Sequence, residues 1–186
     1  MRNLSVFNHV SIDGYFVDKK GQMSWAKDHQ DDEWNKFVAD NARGGGVLVF
    51  GRVTYDMMAG FWPTPQAMQM MPVVAERMNN LQKVVFSRTL EQASWNNTRL
   101  IKGDLIEEVR KLKDEPGDDM VIMGSGTIIA QLAPAQLIDS YQLVVNPLVL
   151  GEGRTMFQGV QDKLNFKLGS SRTFGNGNVV LTYQVN

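Results

Sequence analysis

Cysteine is absent from this chain, and with it go disulfides, thiolate metal sites and cysteine nucleophiles; such a composition suits a reducing cytoplasm. Histidine is scarce. His9 and His29 are the two present, too far apart in sequence to suggest a metal centre, and no metal is expected. An excess of one charge is missing too, since 19 lysines and arginines against 20 acids leave a formal net charge of −1. No electrostatic footprint for nucleic acid follows, and any bound anion must be held by local groups. No apolar run approaches membrane-spanning length, and the N-terminal Leu4-Ser5-Val6-Phe7 stretch is too short for a signal peptide. A cytoplasmic protein without membrane or nucleic-acid partners is expected. The 186 residues, 43% hydrophobic and 21% charged, suffice for one well-buried domain over residues 1–186.

What is present is a repeated strand, glycine turn and helix start. Val47-Leu48-Val49-Phe50 runs into Gly51-Arg52-Val53-Thr54-Tyr55, and Met120-Val121-Ile122-Met123 runs into Gly124-Ser125-Gly126-Thr127-Ile128. Glycine lets an anion approach the backbone, and a helix N-terminus presents free N–H groups and a positive dipole end. Each unit is therefore a candidate phosphate seat. A third strand, Lys83-Val84-Val85-Phe86, is followed by Ser87-Arg88, a hydroxyl and a guanidinium suited to a further phosphate. A phosphorylated dinucleotide such as NADPH matches this set.

Apolar spacing predicts a buried strand over Leu4 to Ile12 closed by Asp13-Gly14, after which Tyr15-Phe16-Val17 leads into a polar loop ending at Met23-Ser24-Trp25, and a helix over Asp31 to Arg43 with Trp34, Phe37, Val38 and Ala42 on one face, stopped by Gly44-Gly45-Gly46. A helix from about Val53 to Ala59 gives way to a long connection broken by Pro63 and Pro65. The methionines of this stretch, Met57, Met58, Met68, Met70 and Met71, suit an adaptable binding surface or core filling, and core filling is expected. A short strand at Arg99 to Ile101, a helix over Leu105 to Leu112 and a helix over Thr127 to Leu132, stopped by Pro134, complete an alternation that implies a mostly parallel sheet. Strand-like runs at Ser140 to Val149, Phe166 to Gly169 and Val179 to Val185 follow without helices. Gly175-Asn176-Gly177-Asn178 signals a hairpin, so the last pair is expected antiparallel. The fold class is α/β.

Two familiar phosphate motifs fail. In Gly124-Ser125-Gly126 the third glycine of a dinucleotide fingerprint is replaced by Ile129, and Asn146 stands where a ribose-holding acid belongs. Gly46 and Gly51 have P-loop spacing, but Arg52 and Val53 replace its lysine and hydroxyl residue. Taken singly, these glycines do no more than make tight turns. Three such turns beside Arg52, Thr54, Ser87 and Arg88 indicate an anion site.

Taken in order, the segments at Gly51 to Tyr55, Val85 to Arg88 and Val121 to Thr127, with Ser11-Ile12-Asp13-Gly14-Tyr15 before them, resemble the cofactor-binding segments of the dihydrofolate reductase fold. Leu137-Ile138-Asp139-Ser140-Tyr141 and Asn146-Pro147-Leu148-Val149-Leu150-Gly151-Glu152-Gly153 are most similar to one branch, the reductase domain of the bifunctional riboflavin-biosynthesis deaminase-reductase. The resemblance implies an NADPH-dependent reductase acting on a ribosylated aminopyrimidine or related heterocycle, homodimeric as in that branch. It places Gly51, Arg52 and Thr54 at the cofactor phosphates and Ser87 and Arg88 at the 2′-phosphate. Gly124, Ser125, Gly126 and Thr127 would take the pyrophosphate. Asn8, His9, Phe16, Val17 and Trp25 would lie about the nicotinamide and substrate. With Trp34 as anchor, Asp31 falls where the folate enzymes carry their catalytic acid, although Asp28, Asp31, Asp32 and Glu33 also make an ordinary acidic first turn. His9 suits a hydrogen-bonded structural role equally well, and Glu152 a plain loop charge. The zinc deaminase half, with its cysteine ligands, has no counterpart here. Dihydrofolate reduction and a nucleotide-binding protein without turnover are the alternatives.

Overall fold

The computed structural model describes residues 1–27, 31–43 and 46–185, with backbone alone at 27 and 43. The expectations at Asp28, His29, Gly44 and Gly45 lie outside these residues. Ten strands and six α-helices are described, arranged as an α/β fold. In the first half β1 (Leu4–Ser11) and β2 (Tyr15–Asp18) precede α1 (Asp32–Arg43), and β3 (Val47–Gly51) is followed by α2 (Arg52–Phe61), α3 (Pro65–Met70) and α4 (Pro72–Asn80). In the second, β4 (Lys83–Phe86), β5 (Thr98–Ile101), α5 (Leu105–Asp114), β6 (Met120–Ile122) and α6 (Gly126–Leu132) lead to β7 (Ser140–Asn146), β8 (Gly153–Thr155), β9 (Phe166–Thr173) and β10 (Val179–Val185).

The main sheet has the order β5-β4-β3-β6-β1-β7-β10-β9. Every pairing from β5 to β7 is parallel, whereas β10 is antiparallel to both β7 and β9. The expected antiparallel pair at the end is thus present and is joined edgewise to the parallel set. All five residues of β3 are buried, with Leu48 and Phe50 in the core under Tyr55 and Trp95, and Val47 and Val49 in the larger core beneath α5 and α6. Alternate side chains of one strand thus reach two apolar layers, as a sheet covered on both faces requires. A third cluster, Trp34, Val144, Phe174 and Val180, seats α1 on the antiparallel end.

Three expectations need correction. The connection after Ala59 is helical: Pro65 and Pro72 stand at the first positions of α3 and α4, where a missing N–H costs no hydrogen bond, and the Thr64 hydroxyl caps α3 by accepting from Ala67 N at 3.2 Å. Core filling holds for Met58 and Met71, which pack against the Tyr55 cluster, while Met57, Met68 and Met70 are 43%, 43% and 58% exposed on the outer faces of short surface helices. Finally, Tyr15 to Asp18 does not run straight into a loop. It pairs antiparallel with β8 in a separate two-stranded sheet.

Candidate active site

β3, β4 and β6 end side by side, so their following turns open on one edge of the sheet. Two of those turns interlock. The Gly51 N–H donates to Ser125 Oγ at 2.7 Å, and that hydroxyl donates to Thr54 Oγ1 at 3.0 Å. Ser125 sits in the left-handed region at φ 72°, ψ 73°, a conformation disfavoured for a side chain and retained here by these two bonds. A Cβ on Gly51 would come within 2.7 Å of Ser125 Oγ, so only glycine permits the approach. Gly51 and Ser125 are the N-cap residues of α2 and α6; glycine has no side chain to cap with, and the Ser125 hydroxyl does not cap its own helix. The first-turn N–H groups of both helices are left uncapped by side chains.

The turns form the floor of a cleft of about 540 Å³. Gly51, Arg52, Thr54, Ser125, Gly126 and Thr127 line it, with Ser87 and Arg88 toward one end and Phe16 and Val17 among the remaining walls. Gly124 lies behind this floor, its Cβ position 3.0 Å from Thr54 Cγ2. Arg52 Nε is bonded to Asp56 at 2.6 Å along the α2 surface. The Ser87 hydroxyl accepts from Leu90 N at 3.0 Å and so shapes the turn that presents Arg88.

The β2–β8 ribbon forms another wall. A Cβ on Gly126 would meet the Phe16 ring at 2.8 Å and the Met156 carbonyl at 3.4 Å, so the ribbon rests directly on the glycine turn. Asp13 ties it down, its two carboxylate oxygens accepting from Leu150 N at 3.1 Å and Gly151 N at 2.8 Å. Glu152 is an exposed loop charge 3.9 Å from Lys19.

Besides Gly124, four sequence-derived residues do not line this cleft: Asn8, His9, Trp25 and Asp31. Asn8 is buried and donates to Met156 Sδ at 3.2 Å, and Trp25 is buried with its indole N–H on Gln22 O at 3.2 Å. His9 stands between Phe7 and Trp34, edge-on to both, with Nδ1 near the Asn146 amide. Burial pushes its pKa down to about 4, so the ring is neutral near pH 7. Asn146, which stands in place of a ribose-holding acid, is fully buried and donates to Val10 O and Val144 O, binding β7 to β1. Asp31 precedes α1, and its Oδ1 accepts from Trp34 N at 2.7 Å as an N-cap.

Arg154, absent from the sequence-derived set, and Met57, expected there as a core filler, both line the cleft. Arg154 follows Gly151-Glu152-Gly153 immediately, and that glycine pair was its signal. Among the described residues no group of three or more His, Asp or Glu could hold a metal ion, and no helix is long and apolar enough to cross a membrane.

Residues 2–180 match the family described as RibD C-terminal domain. A Bacillus subtilis relative, the uncharacterized protein YyaP, is 29% identical over 177 residues, covering 95% of this chain and 92% of its own. A Shewanella sp. PV-4 protein with a provisional assignment to riboflavin biosynthesis superposes with a TM-score of 0.74 at 24% identity, covering 100% of this chain and 99% of that one. The Thermotoga maritima diaminohydroxyphosphoribosylaminopyrimidine deaminase/5-amino-6-(5-phosphoribosylamino)uracil reductase gives 0.67 at 14% identity, over 100% of this chain and 57% of that one. Enterococcus faecalis dihydrofolate reductase, complexed with NADP(H), gives 0.65 at 19% identity, over 99% and 96%. These likenesses establish a dihydrofolate reductase-like fold.

Proposed function

Since the chain belongs to the RibD C-terminal domain family, we propose that it is an NADPH-dependent reductase of a ribosylated aminopyrimidine or related heterocycle, acting in riboflavin biosynthesis or a similar pathway. One observation carries this reading: the two interlocked glycine turns and the Ser87-Arg88 pair share a single cleft of about 540 Å³, and such a cleft has room for an extended nucleotide. The donor set fits a phosphorylated dinucleotide. Uncapped N–H groups of α2 and α6 with Arg52 and Thr54 suit a pyrophosphate, and Arg88 suits a terminal phosphate through its guanidinium fork.

Bound nicotinamide would supply the hydride. The chain's own contribution is to bind, orient and exclude water. Phe16 and Val17 of β2 present apolar surface to the cleft; the Phe16 ring rests on Gly126 of the glycine turn, and Asp13 at the start of the ribbon fastens the loop that leads into β8. Such a wall keeps bulk water from a reactive face. A second reading, nucleotide binding without turnover, draws support from the lining itself. Its one described acid is Asp104, whose Oδ1 already accepts from Ile106 N and Glu107 N at the start of α5.

The test is loss of NADPH absorbance with purified protein, offered aminopyrimidine ribotides and dihydrofolate side by side. Turnover of a ribotide is the expected result. Tight NADPH binding with no oxidation by any heterocycle would favour the second reading, and robust dihydrofolate reduction would replace the proposed substrate.

A further inference from the structure

We propose that Arg154, on β8, is a further phosphoryl-holding residue of this cleft, gripping from the ribbon side a phosphate seated against the Gly124 to Thr127 turn. The proposal rests on the nucleotide reading above. Arg154 lines the cleft, yet its guanidinium makes no hydrogen bond or ion pair with another described residue. Arg52, Arg99 and Arg172 are engaged with Asp56, Glu115 and Glu33 at 2.6, 2.9 and 3.0 Å. A guanidinium carries five donors in a planar fork and no acceptor, so one left without a carboxylate on a concave wall is suited to an incoming anion.

Its position is fixed by backbone and not by its own contacts. Arg154 pairs with Val17 across the ribbon. A Cβ on the preceding Gly153 would fall 2.0 Å from Val17 O, so that glycine is what lets the two strands come together. Two residues on, the Met156 carbonyl lies against Gly126. At roughly 3.3 Å of rise per residue, this puts Arg154 about 7 Å along the strand from that contact, a span that a long side chain can bridge back toward the turn. Gly21 stands 3.7 Å from Arg154 Nη2 at its Cβ position and has φ +75°, so the loop beside the guanidinium is built without a side chain. Together with Arg88 and Arg52, Arg154 makes a third cation in the lining of one cleft.

The ligand chemistry is a phosphate ester with further phosphates along the same molecule or beside it. Two sources share that chemistry: the nicotinamide-side phosphate of the cofactor, and the 5-phosphate of a ribosylated substrate. Calorimetric titration of wild type, Arg154→Ala and Arg154→Lys with NADPH, with 2′,5′-ADP, and with ribose 5-phosphate added to NADPH-saturated protein separates them. Arg154→Ala should weaken binding by about ten- to a hundredfold. Arg154→Lys should recover part of it, because charge is kept and the fork is lost. Melting of the unliganded variants should match wild type, since the side chain is exposed and has no described partner to lose. Weakened NADPH with unchanged 2′,5′-ADP assigns the cofactor phosphate. A loss confined to ribose 5-phosphate assigns the substrate phosphate. If Arg154→Ala binds all three ligands as wild type does, the proposal is overturned. A wild-type protein that binds neither NADPH nor 2′,5′-ADP would instead strike down the cofactor reading, and ribose 5-phosphate titrated into the unliganded wild type and Arg154→Ala would then decide the Arg154 proposal, equal affinity overturning it.

Discussion

Ser125→Ala and Ser125→Gly perturb the same turn in two separable ways. Both remove the hydroxyl that accepts from Gly51 N at 2.7 Å and donates to Thr54 Oγ1 at 3.0 Å. Gly51 is buried, so its N–H loses a partner where water is scarce, at a cost of about 1–3 kcal/mol. Alanine keeps a side chain at φ 72°, whereas glycine releases a left-handed strain of about 1–2 kcal/mol. Part of that relief is offset by the greater freedom of glycine in the unfolded chain, about 0.5–1 kcal/mol. The expected order of stability is wild type, then glycine, then alanine, with the two variants about 0.5–1 kcal/mol apart. Urea denaturation measures it through midpoints at unchanged slope, and a thermal melt should move by about 2–4 °C per kcal/mol for a chain of this size. Alanine as stable as wild type would show that the Gly51 bond contributes nothing. Alanine more stable than glycine would refute the left-handed turn.

Arg88→Ala should weaken NADPH by about one to two decades while leaving NADH nearly unchanged, as a titration of both cofactors would show; equal affinities in the unmodified protein would remove the assignment. Asp31→Ala should destabilise by about 1 kcal/mol through loss of the α1 cap on Trp34 N, while Asp31→Asn, itself a good cap, should change little in a denaturation curve or in NADPH-coupled turnover. Acidification should discriminate at His9. Its folded pKa of about 4 lies below the unfolded value of 6.5, so the unfolded chain binds the proton first and stability falls as pH drops from 6.5 through 4. His9→Phe should flatten that part of the stability profile measured by urea midpoints.

Legibility in the sequence followed the strength of local signals. The β3 and β6 units were readable because a buried apolar run ending in glycine leaves few alternatives, and Gly51, Thr54, Ser125 and Gly126 fell in one cleft accordingly. The helices α3 and α4 were hidden by their own proline starts, since Pro65 and Pro72 look like breakers unless their place at the first helical position is recognised. The ribbon was hidden for another reason. β8 has three residues, too few for any alternation to register, and its pairing with β2 depends on Gly153 admitting Val17 O, a tertiary fact. Arg154 was missed with it. Trp25 and Asn8 illustrate the converse, because a motif gives a residue's neighbourhood along the chain but not the direction its side chain takes.

The central place of β1 also sets a clock for the nascent protein. Its partners are β6 on one side and β7 on the other, and β7 begins about 130 residues after β1 ends. At about 5–20 residues per second, a ribosome needs on the order of ten seconds to deliver that second partner. Until β6 emerges at Met120 this apolar strand has both edges open, and until β7 follows it keeps one, while the loop to be closed is among the longest the chain can form. Folding is therefore bound to wait for the last third of the polypeptide, and a stalled or truncated chain ending before Ser140 should be a preferred client of chaperones that hold extended apolar segments.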